Sequence, residues 1–171
     1  MSKRRSGTPE PPEVSTYFTD RDLGKLVPAL LRSEGLSVHA YHEHFPSPTT
    51  PDPTWIKFVG EQGWIAITHD RTIRYTPEAI DALMEAGTKT FVLIGRHPHA
   101  KLAASFLRAL PQVRRLIKNH NEAFIAKVYT VNPDTSKAKP TARVWYTKSQ
   151  WQQSRGRGGE DPRAGGSSGG A

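Results

Sequence analysis

The chain has no cysteine in its 171 residues. Disulfides, zinc–thiolate sites and thiol nucleophiles are therefore excluded, and any metal must be held by oxygen or imidazole. Long hydrophobic runs are also missing: no apolar stretch approaches the ~20 residues that a membrane span needs. Lys3, Arg4 and Arg5 are followed by proline and glutamate, not by the apolar core of a signal peptide. These absences predict a soluble, cytoplasmic protein with no membrane partner. Acidic residues run short in one part only. Residues 15 to 95 carry 7 Lys and Arg against 10 Asp and Glu, whereas residues 96 to 147 carry 10 against 2. The overall charge of +8 is thus concentrated late in the chain, and it predicts a basic surface for a polyanion near a more acidic pocket.

The two ends have little to bury. Residues 1 to 14 and 148 to 171 are rich in Gly, Pro, Ser and charge, and both are expected to be disordered tails around one domain spanning residues 15 to 147.

Within that domain the most informative stretch is Gly63 to Arg74. Trp64-Ile65-Ala66-Ile67 is a short apolar run opened by glycine and rich in aromatic and β-branched residues, as a central strand covered on both faces requires. It ends at Thr68-His69-Asp70. In open α/β sheets ligands bind outside the carboxyl ends of the strands, which puts Asp70 where chemistry is expected; the structural alternative is that Asp70 caps the next helix or makes a turn. Two further aspartates, Asp20 and Asp52, sit at similar element boundaries.

Tyr17-Phe18-Thr19 reads as a strand ending at Asp20, and Leu23, Leu26, Val27, Leu30 and Leu31 recur at helical spacing with Asp22 read as their cap in preference to a ligand. Leu36 to Tyr41 alternates like a second strand. His42 to Pro51 is a proline-broken loop. His39, His42 and His44 are close enough in sequence to suggest zinc, but no second cluster with ligand spacing follows, and a loop lying over the site is the other reading. Asp52-Pro53 opens a helix, with Asp52 as its cap and Pro53 in its first turn. Pro77 to Ala86 is the next helix, Thr90 to Ile94 a buried strand, and Ala100 to His120 two helices meeting at Pro111. Phe124 to Val131 is a fifth strand, to which Arg143 to Tyr146 adds a hairpin partner after an Asn132-Pro133-Asp134 turn. Strands alternating with helices predict an α/β three-layer sandwich with a mostly parallel central sheet.

Aspartates gathered at one end of a sheet repel one another unless a cation offsets them. Mg²⁺ or Mn²⁺, hard ions that take carboxylate oxygens and keep positions for water and phosphate, suit such a group, and with a basic wall nearby the inferred substrate is a nucleic-acid phosphodiester. Arg71 and Arg74 can pair with phosphate, as can Arg114 and Arg115 in the late basic helices, and Thr68 can donate a hydrogen bond to a carboxylate.

The segments Phe18-Thr-Asp20-Arg-Asp-Leu-Gly24, His44-Phe45, Asp52-Pro-Thr-Trp55-Ile and Gly63-Trp-Ile-Ala-Ile-Thr-His-Asp70-Arg-Thr-Ile-Arg74 together resemble the PIN-like ribonuclease domains, in particular the toxin-like branch of bacterial toxin–antitoxin systems. The resemblance covers residues 16 to 131. It implies a PIN-like fold and a metal-dependent endoribonuclease in which Asp20, Asp52 and Asp70 hold Mg²⁺ or Mn²⁺, with Glu78 as a fourth acid. The partners it implies are RNA and an antitoxin protein, with a homodimer left open. Many relatives carry a second acid directly after the first aspartate, whereas this chain has Arg21. That departure supports the alternative of a catalytically weak or inactive module that binds RNA or a partner. A haloacid-dehalogenase-like phosphatase is a third reading, because Asp20-Arg21-Asp22 mimics an Asp-x-Asp nucleophile pair; Gly24 and the lack of a later paired acid motif count against it.

Overall fold

A computed structural model describes residues 14–129 and 142–156. Its centre is a six-stranded sheet formed by β1 (Thr16–Thr19), β2 (Ser37–Ala40), β3 (Ile65–Thr68), β4 (Lys89–Ile94), β5 (Phe124–Tyr129) and β6 (Ala142–Thr147). The strand order is β2-β1-β3-β4-β5-β6. All pairs are parallel except β5–β6, which is antiparallel. The fold is therefore the expected α/β sandwich, and the short apolar run after Gly63 does supply a central strand: all four residues of β3 are buried.

Helices cover both faces because successive strand residues point to opposite sides. Tyr17, Ile65, Ile67, Phe91 and Phe124 face α1 (Leu26–Ser33) and α5 (His99–Asn119) in one core, while Phe18, Ala66, Val92 and Ile125 face α3 (Asp52–Gln62) and α4 (Pro77–Ala86) in the other. A short α2 (Tyr41–His44) follows β2 directly. Helices α3 and α4 approach so closely that a Cβ on Gly60 would lie 2.6 Å from Ala86 Cβ, so only glycine fits there. Gly63, at φ 72°, ends α3 in the left-handed region and turns the chain into β3.

The chain leaves β1 for β2 on one side and returns to place β3 on the other. The carboxyl ends of β1 and β3 thus flank the point where strand order reverses, the place where α/β sheets open a crevice.

Four local expectations change. Pro111 does not split the late helical region: α5 runs unbroken from His99 to Asn119 with Pro111 inside it. Pro111 is on the exposed side, while Leu102, Phe106, Ala109 and Val113 keep one buried face across it, so packing along the whole length outweighs one lost backbone hydrogen bond. Asp52 is the first residue of α3, preceded by Pro51 at the cap. Asp22 caps nothing; it lies in a 3₁₀ turn (Arg21–Leu23), and α1 begins at Leu26. The C-terminal boundary also moves, because residues 148 onward open not as a tail but as α6 (Lys148–Gly156). Thr147 and Gln150 form a reciprocal cap: Gln150 N–H donates to Thr147 Oγ1 at 3.2 Å and Thr147 N–H to Gln150 Oε1 at 2.9 Å. Trp151 then packs into the α3–α4 core, and its Nε1 donates to Asp81 at 2.8 Å. The expected turn at Asn132-Pro133-Asp134, the end of the fifth strand beyond Tyr129, and the outer parts of both tails lie outside the described residues. Among the described residues no helix is long and apolar enough to cross a membrane.

Since Trp151 is 9% exposed, Trp151→Ala should cost about 3 kcal/mol of stability. A chain ended at Thr147 should lose at least as much, read as a lower midpoint in urea unfolding; equal midpoints for the full and shortened chains would show that α6 adds nothing to the fold.

Candidate active site

At the reversal point, Asp20, Asp22, Asp52 and Asp70 line one cleft of about 520 Å³ together with Arg21 and Thr49 to Pro51. Each acid arrives by a local rule. β1 ends at Thr19, and Asp20 N–H still pairs with Ile67 O at 3.0 Å, carrying the β1–β3 ladder one residue further and fixing Asp20 at the rim. The 3₁₀ turn that follows swings Asp22 inward. Asp52 comes from the first turn of α3, and Asp70 caps the 3₁₀ turn (Arg71–Arg74) after β3 by accepting from Thr72 N at 2.8 Å and Thr72 Oγ1 at 2.7 Å.

Hydrogen bonds tie these acids together. Thr68, wholly buried at the end of β3, donates from Oγ1 to Asp20 Oδ2 at 2.9 Å and accepts Asp70 N–H at 3.0 Å. His69 N–H donates to Asp22 Oδ2 at 3.1 Å, and His69 Nε2 meets Gly95 O at 2.7 Å. Asp22 Oδ1 is buried without a hydrogen-bond partner among the described residues. Asp52 Oδ1 accepts from Trp55 Nε1 at 2.9 Å and from Arg21 Nη2 at 3.1 Å.

Electrostatically the cleft is under strain. Burial pushes the Asp20 carboxyl up to about 7, and the Asp22 charge beside it adds to the rise, against the Arg21 amide and the Thr68 hydroxyl, which lower it; Asp52 raises it further. Burial likewise lifts Asp22 to about 6, opposed by the His69 amide and reinforced by Asp70. Arg21 is the resident cation. It lies 3.7 Å from Asp20, ion-pairs with Asp52, donates to the carbonyls of Pro48 and Thr50, and sits 4.8 Å over the Tyr41 ring.

The sequence-derived residues divide by position. Asp20, Asp52 and Asp70 line the cleft, with Thr68 beneath them. Arg71 is exposed on the turn after Asp70, and Arg74 in the same turn is buried, 5.0 Å from the Tyr75 ring. Glu78 is exposed in the first turn of α4 and is not among the cleft residues. Arg114 and Arg115 lie far along α5. The helix starts beside the cleft, where a Cβ on Gly24 would be 3.4 Å from His99 Cε1, and it ends where Lys89 at the start of β4 donates to Ile117 O at 3.0 Å. Fifteen residues separate His99 from Arg114, roughly 22 Å of helix. These arginines therefore stand toward the opposite end of the sheet. Asp22 is the residue that reading the sequence placed wrongly; the Asp-x-Asp spacing straight after a strand was the available signal. His39 Nδ1 and His44 Nε2 meet at 2.9 Å, and His39 stacks on Trp64 at 4.0 Å. Among the described residues no group of three or more histidine or acidic side chains is gathered closely enough to cage a metal.

A cage is not what a hard divalent ion needs. Mg²⁺ is commonly held by one or two carboxylates and keeps several waters. The orphaned Asp22 Oδ1, together with two carboxyls raised by burial and mutual repulsion, is the donor set that such an ion would relieve. Fold and cleft thus define an α/β domain with converging carboxylates at its strand-reversal point. A family model described as PIN like domain matches residues 15–95, the segment carrying all four aspartates. That stretch is similar to PIN-like domains, and the match takes in just under half of the chain. Searches of curated proteins and of solved structures gave no match.

Because their folded pKa values are raised, Asp20 and Asp22 bind protons more tightly folded than unfolded. Their contribution to metal-free stability is therefore greatest below about pH 4 and is lost as pH rises through about 6 and 7. Asp20→Asn, with the Thr68 hydroxyl free to turn and accept, should stabilise the metal-free protein at pH 8 by roughly 1–3 kcal/mol and by little at pH 5. Thermal unfolding in a chelator at the two pH values measures this, and a variant less stable at pH 8 would show that the buried charge is not a burden.

Proposed function

We propose that the protein is a metal-dependent endoribonuclease that hydrolyses RNA phosphodiester bonds at the aspartate cleft. The observation that carries this reading is the arrival of four carboxylates from three separate turns of a PIN-like segment in one cleft, two of them too buried to stay ionised comfortably without a cation. Asp20 and Asp22 would hold Mg²⁺ or Mn²⁺, with Asp52 and Asp70 also lining the cleft. When bound, the ion would neutralise phosphoryl oxygens and make water a better nucleophile at neutral pH.

The residues of the chain supply the rest. Hydrolysis forms a P–O bond from water and breaks the P–O bond to the leaving ribose oxygen, which takes up a proton from solvent, and the proton lost by the attacking water needs an acceptor. Asp70 Oδ2 has no hydrogen-bond partner among the described residues, while Oδ1 is occupied by Thr72, so Oδ2 is free to take that proton. Thr68 holds Asp20 and the Asp70 backbone in fixed relation throughout. Arg71, exposed one residue beyond Asp70, offers a bidentate contact to a substrate phosphate.

Arg21 favours a second reading. Its guanidinium already bridges Asp20 and Asp52, as in a module that binds RNA or a partner without cutting. Within the nuclease reading, the assignment as the toxin of a toxin–antitoxin pair, with an antitoxin protein as partner, rests on sequence resemblance alone.

Incubating the full chain with single-stranded RNA and Mn²⁺ or Mg²⁺ should give cleavage that a chelator abolishes. Asp22→Asn and Asp70→Asn should each lower the rate about 100-fold or more while circular dichroism stays unchanged. Full activity in Asp70→Asn would remove Asp70 as the proton acceptor, wild-type cleavage that persists in a chelator would remove the metal-dependent reading, and an inert wild type that becomes active on Arg21→Ala would establish the blocked form.

A further inference from the structure

Next to the cleft is a group of side chains that the hydrolytic scheme does not use. The 3₁₀ turn capped by Asp70 ends at Arg74, which is 7% exposed, and Arg74 Nε has no hydrogen-bond partner among the described residues. No described carboxylate lies within ion-pair distance of its guanidinium. Aromatic rings flank it instead: Tyr75 at 5.0 Å and Trp145, from β6, at 5.8 Å. The two rings meet edge to face at 6.0 Å. Lys127 Nζ, from β5, lies 5.7 Å over the Trp145 ring. Tyr75 itself is 62% exposed, a large aromatic surface left in water.

A buried guanidinium with no anion is costly, and cation–π contacts offset only part of that cost. The burden is reduced if a phosphate backbone passes nearby. An exposed tyrosine beside such cations offers the other half of single-strand recognition, a face on which a base can stack. Duplex RNA cannot use it, because the faces of its bases are already covered by their neighbours. Four residues of 3₁₀ turn, at about 2.0 Å each, separate this group from Asp70, so it lies roughly 8 Å along the chain from the cleft.

We propose that Tyr75 and Trp145, backed by Arg74 and Lys127, form a stacking platform for an unpaired base of single-stranded RNA on the Asp70 side of the cleft. This rests on the ribonuclease reading for the identity of the strand, but its test does not depend on cleavage. The platform selects single-stranded substrate and sets its direction across the cleft, with Arg71 holding the intervening phosphate.

The test is fluorescence anisotropy of the full-length protein in a chelator, with an end-labelled eight-nucleotide oligouridylate and a set of the same oligomers carrying one abasic residue at each position in turn. The wild type should bind between about fivefold and 100-fold more weakly when the abasic residue occupies one position, or two adjacent ones. Tyr75→Ala should bind the intact oligomer as weakly as the wild type binds that abasic one, and Tyr75→Phe, which keeps the ring, should restore the difference. The platform is overturned if Tyr75→Ala binds the intact oligomer within twofold of wild type, if it weakens intact and abasic oligomers alike, or if the wild type does not bind RNA. A wild type that senses the missing base yet leaves RNA intact with Mn²⁺ or Mg²⁺ retires the nuclease reading and leaves the platform standing. Cleavage without base dependence does the reverse.

Discussion

One hydroxyl group holds the cleft together. Thr68 Oγ1 gives its hydrogen to Asp20 and accepts the amide hydrogen of Asp70, so acids that follow different strands are fixed to one atom with no solvent between them. This works only because β1 and β3 are parallel neighbours in register, Thr19 opposite Ile67, and because the ladder runs on to Asp20. A shift of one residue would turn Thr68 to the other face and separate the pair. The apolar packing of Phe18, Ala66 and Ile67 on both faces of the sheet is therefore what fixes the chemistry at the rim, although none of these residues touches the cleft.

That rigidity has an electrostatic consequence. Flexible carboxylates would relax apart or turn to water; these cannot. Asp20 and Asp22 are held under cover with like charges as neighbours, and their affinity for protons rises as a result. Arg21 offsets part of the charge on the Asp52 side and, through the carbonyls of Pro48 and Thr50, fastens the proline-rich loop across the mouth. It leaves Asp22 Oδ1 without a partner. The uncompensated charge thus lies at Asp22, whose attraction to Arg21 does not offset its burial, and an added cation would have most effect there.

Much of this was legible in the sequence, and the parts that were not share a cause. The central strand, the aspartates ending β1 and β3, and the helices started by Pro53 and Pro77 depend on local patterns: apolar runs, proline in the first turn, glycine at the end. Asp22 was misread because an acid before an apolar helical stretch has the same local signature whether it caps that helix or faces across a cleft; only the amide of His69, 47 residues away, decides. Helix α6 was missed for a different reason. Its composition is polar enough to pass for a tail, and its one buried residue, Trp151, means nothing until Asp81 and the α3–α4 core are there to receive it. The Thr147 to Gln150 cap was the one local clue. Pro111 was over-read, since a rule about isolated helices does not account for a 21-residue face already packed on a sheet.

Charge illustrates the same limit on a larger scale. The late half of the chain is strongly basic, and sequence order suggested one basic wall beside the acids. A helix that crosses the whole sheet carries its early residues to one end and its late residues to the other, so α5 takes Arg114 and Arg115 away from the cleft while His99 stays beside it. The cations on the Asp70 side come from other places: Arg71 and Arg74 from a turn in the acidic half, and Lys127 from β5, whose register sets it beside Arg143 in the neighbouring strand. Counting charge along a sequence therefore measures how strongly such a domain can attract a polyanion, while strand order determines where on the surface that attraction acts.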